Sequence, residues 1–164
     1  ANGIDERAVI PDHEAKSISH ETTFESDVRD LEVLRMWLLE LTDQVAVRLR
    51  RHALRGQTVH LKLRFPDFRT ITRAHTLPEP SDITRELWQV ADRLLARHLP
   101  AKNGGVRLLG MGVSGLHAGP PPQQRLFEEA GRAKQGRIDA TLDDIRRRFG
   151  DDVLRRGLDF KRVR

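Results

Sequence analysis

Cysteine and tyrosine are absent from this chain of 164 residues, and aromatic residues make up only 5% of it. Without cysteine the chain cannot form a disulfide scaffold, a thiolate zinc site or a cysteine nucleophile. No apolar run approaches the roughly 20 residues that cross a bilayer, and no signal peptide is recognisable at the start. We therefore expect a cytoplasmic protein that neither spans a membrane nor is secreted.

The charge of the chain is modest and uneven. Its 29 basic and 24 acidic side chains give a net charge of +5, and hydrophobic residues make up 38%. Residues 1–117 hold 17 basic and 16 acidic side chains, whereas residues 118–164 hold 12 and 8. Nucleic-acid binding therefore cannot be inferred from the net charge, and depends on which face carries the basic residues.

The length suits one compact domain with an extension. Gly119 and the three prolines at 120–122 favour an extended linker, because proline fixes the backbone and lacks a donor. We predict an entry segment over 1–15, a domain over 16–117 and a tail over 118–164.

Hydrophobic periodicity predicts six elements in the order strand, helix, strand, strand, helix, strand. The first helix is the most regular, with Leu34, Leu38 and Leu41 at helical spacing and Gly56 as its predicted end. Two split strand–helix–strand units place both helices on one face of a four-stranded antiparallel sheet. The prediction is an α+β domain of βαββαβ order whose other sheet face is open.

The strand over 57–65 alternates cleanly, so that Lys62 and Arg64 are predicted on the open face together with His60. The last strand would add Gly110 and Gly112. Cationic side chains beside glycine and hydroxyls suit a phosphate backbone, although a merely solvated face is an equal alternative. The facing of the strand over 68–77, which carries Arg69, Arg73 and His75, is left open, and Glu21 is expected to reduce the positive charge.

Two motifs could suggest catalysis, but neither has the structural context that the chemistry needs. The segment over 110–115 matches G-x-G-x-x-G, but no helix follows it to hold a pyrophosphate. Ser17, His20 and Glu21 lie too close along one strand to form a catalytic triad. Neither the histidines nor the paired aspartates show the spacing of a metal site. No catalytic centre and no metal site are predicted in this chain.

The tail contains an adjacent pair of large apolar residues, Leu126 and Phe127, on the predicted linker. Such a pair is unfavourable in water unless it is buried, either by a partner or by packing back on the domain. Both alternatives remain open from the residues alone. Further along, Ile138 and Phe149 belong to an apolar stripe that predicts a short amphipathic helix.

The segment Lys16-Ser17-Ile18-Ser19-His20-Glu21-Thr22-Thr23-Phe24 resembles the opening of the little finger domain of bacterial Y-family translesion polymerases of the DNA polymerase IV type. The resemblance continues through Phe68, the strand with Thr72 and Arg73, and the last strand, and it covers roughly residues 3–117. It implies that the sheet lies in the DNA major groove and contacts phosphates. The implied contacts, carried over by position, are Lys16, Ser17, Ser19, Thr23, Arg73 and Arg107.

The resemblance also implies a role for the tail. Gln123 to Phe127 is similar to a peptide that binds the bacterial sliding clamp, with Gln123, Leu126 and Phe127 as anchors and Gln124 in place of the usual leucine. The parent enzyme would use magnesium on a palm domain that this chain lacks, so this chain alone is not expected to polymerise DNA. The implied roles are translesion synthesis, DNA repair and replication.

Three other functions compete with this interpretation. An RNA-binding module of the same topology would stack bases on aromatic side chains, and stacking on Phe68 would favour it. A small phosphate hydrolase would need a glycine-rich loop, which residues 24–29 do not provide. A purely structural interaction domain would fail to bind DNA even at low salt.

Overall fold

A computed structural model describes residues 15–99, 104–119 and 129–157, and the structural statements below concern these residues. The predicted entry segment lies almost wholly outside them. The elements in chain order are β1 (Ser17–Val28), α1 (Leu31–Arg51), β2 (Leu54–Arg64), β3 (Thr70–Ser81), α2 (Thr84–His98), β4 (Val106–Ala118) and α3 (Glu129–Phe149). The predicted order of the first six elements is confirmed.

The four strands form one sheet in the order β1-β4-β2-β3, and all neighbours are antiparallel. β4 lies between β1 and β2, and β2 lies between β4 and β3. Each strand–helix–strand unit is therefore split by a strand from the other unit. The predicted α+β sheet is confirmed.

The core lies between one face of the sheet and the helices α1 and α2. Val59 of β2 pairs with Val113 of β4, and both side chains are completely buried. Leu38 of α1 and Leu87 of α2, also completely buried, belong to the same cluster. Because strand side chains alternate, this burial assigns every second residue of the central strands to the helix side and the others to the open side.

The ends of α1 follow from local chemistry. Asp30 caps its start, since its Oδ1 accepts from the backbone N–H of Glu32 at 2.8 Å. The helix ends at Arg51, five residues before Gly56, so the predicted end was wrong. Gly56 instead lies in β2, where a Cβ would stand 2.6 Å from the Cβ of Val113. The glycine serves close packing across the sheet rather than the end of a helix.

The tail helix α3 is 21 residues long and not the short helix that was predicted. It contacts the side of α1 that faces away from the sheet, mainly through ion pairs. Arg146 Nη1 lies 2.6 Å from Asp43 Oδ2, and Arg50 Nε donates to Asp143 Oδ2 at 2.6 Å. Two residues of the predicted apolar stripe, Ile138 and Phe149, stay exposed. None of the described helices combines the length and the apolar composition of a membrane span.

Candidate nucleic-acid interface

The face of the sheet opposite the helices is rich in small and hydroxyl-bearing side chains. The register places on this face Ser17, Ser19, Glu21 and Thr23 of β1, Leu108, Gly110, Gly112 and Ser114 of β4, Thr58, His60, Lys62 and Arg64 of β2, and Thr70, Thr72, Ala74 and Thr76 of β3. We call this surface the open face. The contacts of α3 are with α1, the start of α2 and the end of β3, so within the described ranges no helix covers the open face.

A shallow groove runs along the open face between β1 and β2. Its floor is Gly110 and Gly112, and its walls include Ser19, His60 and Lys62. At Gly112 a Cβ would lie 2.8 Å from the Cβ of Ser19, so the neighbouring strand already requires glycine there. The glycine therefore serves the packing of neighbouring strands and leaves the floor of the groove without a side chain.

The charges in the groove are partly paired. Lys62 Nζ donates to Glu21 Oε2 at 2.8 Å, and both side chains are only part exposed, at 37% and 51%. Arg64 Nε donates to Thr70 Oγ1 at 3.0 Å, and His60 Nε2 lies 2.7 Å from Ser114 Oγ. The open face is thus weakly basic and its polar side chains are held in place. Phosphate oxygens accept hydrogen bonds from this kind of lysine, arginine and hydroxyl group.

The structure places five of the eight predicted contact residues on the open face. Lys62 and Arg64 are on the open face, as predicted from the alternation of β2. The β1 residues proposed by resemblance share that face with them, and these are Ser17, Ser19 and Thr23. Lys16 is exposed directly before β1. Their contact with DNA stays a prediction.

Arg73 does not belong to the open face. It pairs with the buried Leu61, so its side chain leaves the sheet on the helix side, where its Nη1 donates to the carbonyl of Thr72 at 2.9 Å. β3 is an edge strand, and its helix side is exposed at this position. A charged residue is therefore tolerated on either side, which is why the sequence pattern left its facing undecided.

Arg107 is held in an ion pair and an aromatic contact. Its Nε lies 3.2 Å from Asp27 Oδ1, and its guanidinium carbon stands 4.7 Å from the centroid of the Phe68 ring. The sequence did not predict the contact with Phe68. The only signal in the sequence is that Phe68 is an aromatic residue directly after Pro66-Asp67. Its partner Arg107 could not be identified, because it lies on a strand far away along the chain.

Three further expectations concern a dinucleotide site, a metal site and the clamp-binding residues. The G-x-G-x-x-G segment lies wholly within β4, so it cannot form the turn and helix of a dinucleotide site. In the part of the chain that is described, no group of three or more His, Asp or Glu side chains could hold a metal ion. Gln123, Leu126 and Phe127, predicted to bind a clamp, lie outside the described residues.

Comparisons with known proteins agree with this architecture. Residues 15–126 match the impB/mucB/samB family C-terminal domain. DNA polymerase IV of Dehalococcoides mccartyi is 38% identical over 161 residues, which are 98% of this chain and 40% of that protein. The chain thus spans about 40% of the length of the curated relatives that it matches.

Two solved structures share the fold. A complex of the beta-clamp processivity factor and the little finger domain of PolIV superposes with a TM-score of 0.51 at 22% identity, over 70% of this chain and 98% of that chain. A post-insertion binary complex of Dbh DNA polymerase gives a TM-score of 0.56 at 14% identity, over 63% of this chain and 29% of that one. With its βαββαβ sheet and a matched region over most of its length, the chain belongs to the impB/mucB/samB family as its C-terminal domain, the little finger of the Y-family DNA polymerases.

Proposed function

We propose that this chain binds primer–template DNA through the open face, without sequence preference, as part of a translesion DNA polymerase. The observation that supports this most strongly is the uncovered groove, with Gly110 and Gly112 as its floor and Lys62 on its wall. A ridge of sugar and phosphate can approach a glycine floor closely, because no side chain stands in its way.

The chemistry of the open face favours backbone contacts over base reading. Its side chains are mostly hydroxyls, and its described residues include no phenylalanine or tryptophan. Hydroxyls and cations bind phosphate oxygens and fix the position of a duplex but carry no sequence information. With few cations available, the affinity should depend only moderately on salt.

The test compares Lys62→Ala and Arg64→Ala with Arg93→Ala, which removes an exposed cation from α2 on the helix side. Fluorescence anisotropy titrations on several unrelated duplexes measure the affinity and its dependence on salt. The first two variants should weaken binding equally on every duplex and reduce the salt slope by about one each, whereas Arg93→Ala should not. If all three variants show the same affinity and the same salt slope, the duplex does not bind through the open face.

Arg73→Ala adds a distinction within the same titration. Since Arg73 leaves the sheet on the helix side, DNA that rests on the open face alone should bind this variant as it binds the parent. A clear loss would mean that the duplex also reaches around the edge strand β3.

We also propose that Gln123 to Phe127 binds a bacterial sliding clamp. The support is the Leu126-Phe127 pair on a proline-bounded linker, together with a structural neighbour that is a complex with the beta-clamp. Burial of each apolar side chain would contribute roughly 1.5–3 kcal/mol. Leu126→Ala combined with Phe127→Ala should abolish co-purification with the clamp and leave DNA affinity intact. Retention on the clamp equal to that of the parent would refute this proposal.

The polymerase reaction itself would belong to other parts of a longer protein. It needs carboxylates that hold magnesium beside the primer end, and the described residues contain no such group. Under this proposal, the chain holds DNA and recruits the enzyme, and should show no nucleotide incorporation on its own.

A further inference from the structure

Phe68 has an unusual conformation for a large apolar residue. It lies in the turn between β2 and β3 with φ at 63°, in the left-handed region that favours glycine or asparagine. The turn is nevertheless well formed, since the Phe68 N–H donates to the Phe65 carbonyl at 2.9 Å and Asp67 Oδ1 accepts from Arg69 N at 3.0 Å. The side chain is 65% exposed. An unfavourable backbone and an unburied ring together need an explanation other than core packing.

The turn contains a second phenylalanine that makes the contrast clear. Phe65 is only 5% exposed and belongs to the core, and the guanidinium of Arg69 lies 4.9 Å from its centroid. Phe65 therefore stabilises the hairpin. Phe68 contributes little to that core and has its ring directed outward.

One face of the Phe68 ring is already occupied. The Arg107 guanidinium lies 4.7 Å from the ring centroid and is held there by Asp27, whose Oδ1 is 3.2 Å from Arg107 Nε. Phe68 as a residue is 65% exposed, which leaves room for a second flat group to stack on the side away from Arg107. The arrangement is a fixed aromatic surface beside a cation.

This pair is next to the open face. Arg64, the last residue of β2, is on the open face and donates to Thr70, and Thr70 donates to the Phe68 carbonyl at 3.5 Å. Arg107 is the second residue of β4, one position before Leu108 of the open face. The sugar–phosphate backbone of a nucleic acid on the open face would therefore lie near the exposed ring of Phe68.

We propose that Phe68, held by Arg107, stacks on one unpaired nucleobase at the end of a DNA duplex bound to the open face. This rests on the proposed function for the position of the duplex. Every base has a π-face, so stacking on an aromatic ring tolerates any sequence, and a nearby guanidinium favours the phosphate that accompanies the base. The ligand is a single-stranded DNA overhang, and the open face supplies the phosphate contacts of the adjoining duplex.

The test measures the affinity of the whole chain for a primer–template with a single-stranded 5′ overhang and for a blunt duplex of the same paired sequence. We expect the parent to bind the overhang DNA more tightly. Phe68→Ala should remove that advantage, with about a tenfold loss on overhang DNA and no change on blunt DNA. Phe68→Trp should retain the advantage and Phe68→Leu should lose it, because leucine keeps apolar volume without a ring. The unfolding midpoint of each variant shows that the fold persists.

Four results would overturn the inference. The first is a parent with no preference for the overhang, the second is Phe68→Leu binding like the parent, and the third is Phe68→Ala weakening blunt and overhang DNA equally, as a purely structural turn residue would. An RNA overhang that alone gives the advantage would assign the ring to RNA instead. If the blunt duplex does not bind at all, the proposed function fails, and the same variants on a single-stranded DNA oligonucleotide still test the stacking site.

Discussion

At the scale of single residues, the ion pair of Lys62 with Glu21 determines how much positive charge the open face offers. Both side chains are part exposed, so the pair adds well under about 1 kcal/mol to stability. Its effect on a ligand is larger, because a phosphate that approaches Lys62 also meets the carboxylate of Glu21. The acidic residue should therefore limit DNA affinity rather than support the fold.

Replacing Glu21 with glutamine should strengthen DNA binding. The change removes one negative charge and frees Lys62, and a unit charge at about 4 Å in water is equivalent to roughly 1 kcal/mol, or about fivefold in affinity. Glu25→Gln, an exposed position on the same strand outside the groove, is the matched control. Anisotropy titration at low salt measures both, and equal gains would show that only net charge matters.

Gly112 is the residue of the groove floor at which the neighbouring strand leaves least space. Gly112→Ala should lower the free energy of unfolding by about 1–3 kcal/mol, because the new Cβ meets the Cβ of Ser19 at 2.8 Å. Gly136→Ala in α3 meets nothing within 4 Å and should instead be neutral or stabilising by up to about 1 kcal/mol. Urea unfolding of the two variants compares them, and a neutral Gly112→Ala would mean that the strands separate easily.

At the scale of elements, α3 is attached to the domain by an ionic network. Asp139, 1% exposed, accepts from the Thr84 N–H at 3.0 Å, lies 3.5 Å from Arg50 Nη1 and also pairs with Arg156. Asp43 pairs with Arg146, and Arg156 Nε lies 3.1 Å from Asp43 Oδ1 without the alignment of a hydrogen bond. Buried ions that keep their partners are tolerated, whereas loss of one partner leaves the others uncompensated.

Arg50 remains charged in this network. Burial lowers the pKa of Arg50, but the hydrogen bond with Asp143 and the charges of Asp139, Asp143 and Asp43 outweigh burial, so its pKa lies above the ordinary value. Arg50 therefore supplies a permanent positive charge to the network. The loss of a carboxylate, rather than of this positive charge, is therefore the change expected to destabilise the network.

Asp139→Ala should detach α3 while the sheet and its two helices stay folded. The variant removes the acceptor of the Thr84 N–H and the ion pairs that Arg50 and Arg156 make with Asp139, at a cost of up to about 3 kcal/mol that detachment of the helix would limit. Hydrogen exchange should accelerate in α3 and stay slow in β2 and β4. Asp144→Ala is the control, because Asp144 is part exposed and its ion pairs among the described residues lie within α3, with Arg147 and Arg148. Unchanged protection of α3 in Asp139→Ala would show that the other ion pairs of α3 are sufficient to hold it.

At the scale of the whole molecule, the described residues form three layers: the sheet, then α1 and α2, then α3. The core cluster draws its members from the first two layers alone. α3 lies on the side of α1 that faces away from the sheet, so its presence or absence leaves the open face unchanged. Folding and DNA binding should therefore be separable from the tail.

A variant that ends at Gly119 should keep the fold and the DNA affinity of the parent. Its unfolding midpoint should fall by a few degrees, since Asp43 and Arg50 lose partners but become exposed to water, which relieves part of the cost. Circular dichroism and duplex titration measure the two properties. Loss of the cooperative transition would mean that α3 is part of the folding unit.

The sequence by itself determined the six elements, their order, the βαββαβ sheet and the open-face positions of Lys62 and Arg64. These follow from the periods of strand and helix, which are local and can be read from neighbouring residues. The tertiary structure decided the facing of Arg73, the role of Gly56, the Glu21–Lys62 pair and the ionic attachment of α3. Each of these depends on the strand register and on how closely segments distant in sequence approach one another, and no local pattern contains that distance.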